Sequence, residues 1–178
     1  MRVPLHLLAS VAALTTGLAS PAAAEPVDAA EALERLKALE GTWRGPVSGE
    51  GEAEAEATAV EEVVHEFRVA AAGTVVMETM SPGGEGEMIN MYHLDGDDLV
   101  LTHYCAGGNQ PRMRLDLAAS DDDRLVFDFD GGTNLAAGDH HIHDATLTFD
   151  GADRLDSLWT AYAGEEQIGV MRFHLSRQ

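Results

Sequence analysis

Residues 111–130 read Pro111-Arg112-Met113-Arg114-Leu115-Asp116-Leu117-Ala118-Ala119-Ser120-Asp121-Asp122-Asp123-Arg124-Leu125-Val126-Phe127-Asp128-Phe129-Asp130. In the first half Met113, Leu115 and Leu117 face one way, with Arg112, Arg114 and Asp116 opposite. In the second half Leu125, Phe127 and Phe129 alternate with Arg124 and Asp128. Successive side chains on a strand point to opposite faces, so a period of two marks a strand with one buried and one wet face. The polar run Ser120 to Asp123 between the halves is turn chemistry, so the stretch is an antiparallel hairpin. Three aspartates in a row there read as a solvated turn, because a calcium loop spaces its carboxylates and includes a glycine.

The same pattern extends outward in both directions. Ala145, Leu147 and Phe149 alternate with Asp144, Thr146 and Thr148. Strands are expected at 42–50, 58–69, 74–80, 87–94, 98–105, 111–118, 124–130, 140–149, 154–162 and 166–176. Ala71-Ala72-Gly73, Asp95-Gly96-Asp97 and Asp150-Gly151-Ala152-Asp153 supply tight turns. Gly49 to Ala57, with its Glu-Ala alternation, reads as a solvated loop or a frayed edge. A meander of half-wet strands suits an all-β fold, an antiparallel up-and-down barrel of about ten strands. If every connection is a hairpin, the short turns at 71–73, 95–98, 119–123 and 150–153 fall at one end. The longer segments at 51–57, 81–86, 106–110 and 131–139 then fall at the other, which is expected to be an open mouth.

One short helix precedes the strands, over 28–39. Asp28 caps it, Glu31 stands at the capping-box spacing, and Ala29, Leu33, Leu36 and Leu39 form its apolar stripe before Gly41. Such a helix serves as a plug or lid. Residues 1–24 have the form of a signal peptide: Arg2, a mostly apolar stretch Val3 to Leu18, then Ser20-Pro21-Ala22-Ala23-Ala24. Processing would leave one barrel domain, 25–178, with its barrel over 41–177, in the periplasm or outside the cell. The remaining chain has no stretch suited to membrane insertion.

The 11 Lys and Arg stand against 31 Asp and Glu, a net charge of −20. That field repels nucleic acid and anionic membranes and attracts cations. The single cysteine, Cys105, excludes an intramolecular disulfide, so packing must hold the fold.

Gly41-Thr42-Trp43, after a short helix and opening the first strand, resembles the Gly-X-Trp signature of lipocalins and their calycin relatives. The order of features is also similar to the nitrobindin and fatty-acid-binding-protein branch. Met91-Tyr92-His93-Leu94-Asp95-Gly96-Asp97, Thr102-His103-Tyr104-Cys105 and Gly108-Asn109-Gln110-Pro111-Arg112-Met113 resemble a lipocalin-like bacterial family of unknown function. The resemblance implies a barrel and an Arg of the last strand set against Trp43, with Arg172 the candidate. Nitrobindins hold haem through a His near the C-terminus. Here Met171, Phe173 and Leu175 take the inward parity, which sends His174 outward and disfavours haem.

By alternation His65, His103, His141 and His143 point inward. His103 and Cys105 end one strand at the expected mouth, and His141 and His143 begin another. The ligand reading is an apolar cup of Leu101, Leu115, Phe127, Phe129, Leu147 and Trp159 that takes a small, partly hydrophobic molecule. A rim of Tyr92, His103, Cys105, Asn109, Gln110, Arg112, His141 and His143 would hold its polar end. The second reading is a divalent-metal site, Zn or Cu, on His103, His141 and His143 with Cys105 or an Asp added. A third is a structural or interaction module. The chain has no nucleophile elbow, phosphate loop, dinucleotide fingerprint or paired-cysteine metal motif, so no catalysis is expected.

Overall fold

Ten strands pair in chain order and the first closes on the last in the computed structural model, which describes residues 27–51 and 62–178. After helix α1 (Ala29–Lys37) come β1 (Gly41–Gly51), β2 (Glu62–Ala70), β3 (Val75–Met80), β4 (Met88–Asp95) and β5 (Asp98–Tyr104). Then follow β6 (Gln110–Leu115), β7 (Arg124–Thr133), β8 (His140–Asp150), β9 (Arg154–Ala163) and β10 (Glu166–Arg177). Every pairing is antiparallel, and closure removes the free edges that an open sheet must protect. Of the segment Gly49 to Ala57, expected as a loop or frayed edge, Gly49, Glu50 and Gly51 are strand paired with β10; its remainder, the leader and the first residues of the strand expected from 58 lie outside the described residues. Among those described, no helix is long and apolar enough to cross a membrane.

The helix forms for the reasons its sequence shows. Asp28 accepts from the Glu31 backbone N–H at 2.8 Å and Glu31 accepts from that of Asp28 at 3.2 Å, a complete capping box. Ala29, Ala32, Leu33 and Leu36 are buried, and the helix packs against β2 to β5. It closes the barrel end that carries the short turns, beside Gly96, Asp123 and Gly151.

Trp43 locks this plug in place. Its indole N–H donates to Leu39 O at 2.7 Å, and the Arg177 guanidinium lies 4.4 Å over its ring. Arg177 also donates to Glu40 O at 2.9 Å and Ala38 O at 2.8 Å, satisfying carbonyls at the helix C-terminus. The arginine against Trp43 is therefore Arg177, not Arg172. Register decides this: Trp43 lies opposite Arg177, whereas Arg172 lies opposite Ser48 with the outward parity of His174.

Above the helix the interior is packed by fully buried Tyr92, Leu99, Leu101, Met113, Leu125, Phe127, Leu147, Leu155 and Leu175. The expected cup is largely filled by its own side chains. Leu117 departs from its expected face: β6 stops at Leu115 because the Asp116 carboxylate accepts from the Ala118 and Ala119 N–H groups, and this turn leaves Leu117 exposed.

Candidate functional site

Strands β2 to β5 each carry a polar residue on the inner face at neighbouring levels. Glu78 lies opposite Asn90, Asn90 opposite His103, and His65 two residues from Phe67, the partner of Glu78. All four are buried. The Glu78 carboxylate accepts from His65 Nδ1 on Oε1 at 2.7 Å, and on Oε2 from Asn90 Nδ2 at 2.8 Å and Tyr92 Oη at 2.7 Å. Asn90 Oδ1 in turn accepts from His103 Nδ1 at 2.7 Å.

Donor and acceptor logic places the proton in each hydrogen bond of this relay. A carboxylate only accepts, so His65 presents Nδ1–H and Asn90 turns its NH₂ to Glu78. Asn90 Oδ1 is then an acceptor, so His103 must also carry its proton on Nδ1. Burial raises the Glu78 pKa, but the hydrogen bond and charge of His65, with the bonds from Tyr92 and Asn90, outweigh it and hold the carboxyl below its ordinary value. Burial, and the charge and hydrogen bond of Glu78, push the Tyr92 phenol well above its own, so it stays a donor. Burial pushes His103 down to about 4, against a smaller upward pull from Glu78, so its imidazole is neutral at pH 7. His103 Nε2 is buried and, like His65 Nε2, has no hydrogen-bond partner among the described residues.

His103 forms part of the wall of a cavity of about 160 Å³ at the loop end of the barrel. Met80, Met88, Ile142, Trp159, Ala161 and Phe173 are among the other residues lining it, with Gly169 to Met171 completing it. Its origin is local. Ala161 and Gly169 are register partners on adjacent strands, so two small residues meet where larger ones would fill the space. Bulges set those positions: the β9–β10 register shifts between Gln167 and Gly169, and the β8–β9 register shifts between Ile142 and Asp144.

The bulge in β8 changes the expected histidine cluster. One extra residue at His143 reverses the parity, so Ile142 lines the cavity. His141 Nε2 and His143 Nδ1 lie 3.0 Å apart, and His143 stacks between Phe129 at 4.6 Å and Tyr162 at 4.2 Å. These rings sit where β7 and β8 part: their pairing ends at Phe127 and Ala145, while β7 runs on along β6 to Thr133. The structure thus joins His141 to His143 and sets His103 with Asn90. Among the described residues no three His, Cys, Asp or Glu side chains are grouped to hold a metal ion.

The other expected ligand residues scatter. Tyr92 lies deep in the interior instead of on a rim. Asn109 is buried and donates to His140 O at 2.7 Å. Cys105 is half-buried and meets the Gly107 N–H at 3.4 Å. Gln110 and Arg112 line an outer cleft with Thr102, Tyr104 and Asp130, where Arg112 pairs with Asp130 at 3.1 Å. His174 points outward to Asp156 at 2.7 Å. Only His103 and Trp159 of the expected set reach the cavity, their rings 5.6 Å apart. Glu78 and Asn90 were missed, although a signal was present. The alternation that places Val76 and Met80 inside places Glu78 between them, and a carboxylate at a core position needs partners.

No protein-family model matches this chain, and no curated protein sequence matches it. Among solved structures it is similar to a protein of unknown function from the DUF3598 family, from Nostoc punctiforme PCC 73102. The TM-score is 0.54 at 13% sequence identity, over 80% of this chain and 49% of that one. This chain therefore spans about half the length of that protein, and the likeness is one of fold alone.

Proposed function

We propose that this chain is an exported, calycin-like barrel that binds a small, mostly apolar molecule in the cavity at its loop end. The observation that carries the reading is the cavity itself. The interior is tightly packed from the helix to mid-barrel, yet it opens into about 160 Å³ under the loops, walled by Met, Ile, Trp and Phe side chains. An apolar space of about 150 Å³ accommodates benzene or xenon, so the interior has room for one small ring. Concave, mostly apolar spaces are the usual form of a small-molecule site. Export rests on the leader features of residues 1–24, and an acidic surface suits a soluble carrier.

The test is native mass spectrometry of the chain as purified from cells, with elemental analysis in parallel, followed by titration with benzene as a minimal apolar probe. An organic adduct, or saturable benzene binding that Ala161→Leu removes by filling the cavity, supports the reading. A bare protein that also fails to take up benzene overturns it.

A further inference from the structure

The outer wall of the barrel carries a cleft of about 440 Å³, within the roughly 300–1,000 Å³ usual for small-molecule clefts. It spans three paired strands, with Thr102 and Tyr104 on β5, Arg112 on β6 and Asp130 to Gly132 on β7. Its floor is bare because of the local sequence. Pro111 and Met113 are two steps apart on β6, but their partners Gly132 and Phe129 are three apart, so β7 carries one extra residue here. Gly131 takes a φ of +89° at this bulge, and a Cβ added to it would meet nothing within 4 Å. No side chain therefore stands where β7 crosses the cleft. Gln110 fixes the rim, its Oε1 accepting from Thr133 Oγ1 at 2.8 Å and Asn134 Nδ2 at 2.9 Å. The cleft shares no lining residue with the interior cavity, so either site can be filled while the other is empty.

We propose that this outer cleft binds a neutral saccharide, one sugar ring lying against Tyr104 with its adjacent hydroxyls held by Arg112 and Asp130. Tyr104 is 46% exposed, one of three large apolar side chains left in the open among the described residues. An exposed ring beside fixed polar groups offers an apolar face and hydrogen bonds together. A pyranose presents the matching pair of surfaces, C–H bonds on its faces and hydroxyls around its edge. The polar groups are already held in place. Asp130 Oδ2 lies 3.1 Å from Arg112 Nη2 and accepts from Arg114 Nη2 at 2.9 Å. Both contacts fall on one oxygen, so the second oxygen and the remaining Arg112 N–H groups can grip vicinal hydroxyls. A hydrogen bond from Arg114, with the charges of both arginines, holds the Asp130 carboxyl below its ordinary value, so it is an acceptor at neutral pH. Charge decides that the sugar is neutral. Arg112 and Arg114 pair with Asp130 and Asp98, two charges of each sign, so neither an anion nor a cation is favoured locally. The net charge of −20 further disfavours an acidic sugar. An added peptide strand does not fit, because the cleft lies on the face of β5 to β7 and strand addition needs an edge.

The experiment titrates maltotriose and cellotriose, two neutral glucose trimers, into the full chain, with trigalacturonate as the acidic control. Calorimetry measures affinity and ¹H–¹⁵N NMR locates the binding. The expected result is millimolar binding of at least one neutral trimer, with shifts gathered at 102–104, 110–112 and 130–133, and no binding of trigalacturonate. Tyr104→Ala should weaken binding about tenfold, and Tyr104→Phe, which keeps the ring, should leave it within about twofold. Arg112→Ala should weaken it about tenfold as well. If a variant does not fold, the shift map in the unaltered chain carries the decision. No shift with either neutral trimer overturns the proposal. Trigalacturonate binding as tightly as the neutral trimers, unchanged affinity in a folded Tyr104→Ala, or shifts gathered at the interior cavity instead of the cleft also overturn it.

Discussion

Lowering the pH from 7 to 5 should destabilise this barrel through His103, and the magnitude follows from its burial. The imidazole pKa falls from an ordinary 6.5 to about 4 in the folded chain. Between those values the unfolded chain binds a proton that the folded one does not, so stability rises with pH and is lost as pH falls through the window. The full difference is worth roughly 3 kcal/mol, of which about 2 kcal/mol is already lost at pH 5. That is a large part of the 5–15 kcal/mol typical of a domain. Glu78 acts in the same direction but lower. Its folded pKa lies below 4.5, so its contribution is intact at pH 5 and lost only as pH falls through the folded value. Urea unfolding followed by circular dichroism at a series of pH values separates the two. His103→Gln retains an N–H for Asn90 and removes the titration, so its stability should be nearly level where the unaltered chain loses about 2 kcal/mol. Parallel decline of the two proteins, or no decline in either, would refute the account of His103 as a neutral, desolvated base.

Three further outcomes are expected. Arg177→Ala removes two hydrogen bonds to helix-end carbonyls and the cation over Trp43, and should cost about 2 kcal/mol in chemical unfolding; Arg177→Lys should recover only part, since an ammonium lacks the planar fork. Gly45→Ala would drive a methyl into the carbonyl oxygen of His174 on β10, so barrel closure must loosen; thermal unfolding should show a loss of roughly 3 kcal/mol, and an unchanged melting temperature would rule out the close approach. Expression of the full sequence in a bacterium with an outer membrane should yield a chain beginning at Glu25 in the periplasmic fraction; intact mass retaining residues 1–24 in the cytoplasm would count against export.

How much of this was legible depended on whether a property was local. The β-bulge is the instructive failure. His141 and His143 share a parity with Ala145 in the sequence, and strict alternation would point all three into one space. One extra residue in β8 brings Ile142 to the cavity instead and gathers the histidines with Phe129 and Tyr162. Nothing in the order of residues 140–145 marks that extra residue, because a bulge is set by how two strands meet across a twisted wall. The cavity has the same character: Ala161 and Gly169 are unremarkable apart, and create space only because register makes them neighbours.

The sequence by itself determined the strand count, the capped helix, the end that carries the short turns, and the inward parity of His65 and His103. All of these follow from alternation, capping and turn chemistry within a few residues. Tertiary structure alone decided that Arg177 and not Arg172 meets Trp43, that Glu78 and Asn90 lock the His103 tautomer, and that the metal-type grouping of His103 with His141 and His143 is not assembled. The reason is physical. A hydrogen bond or a cavity depends on positions fixed to within about an ångström, and those positions come from register between strands far apart in the chain, which local pattern does not encode.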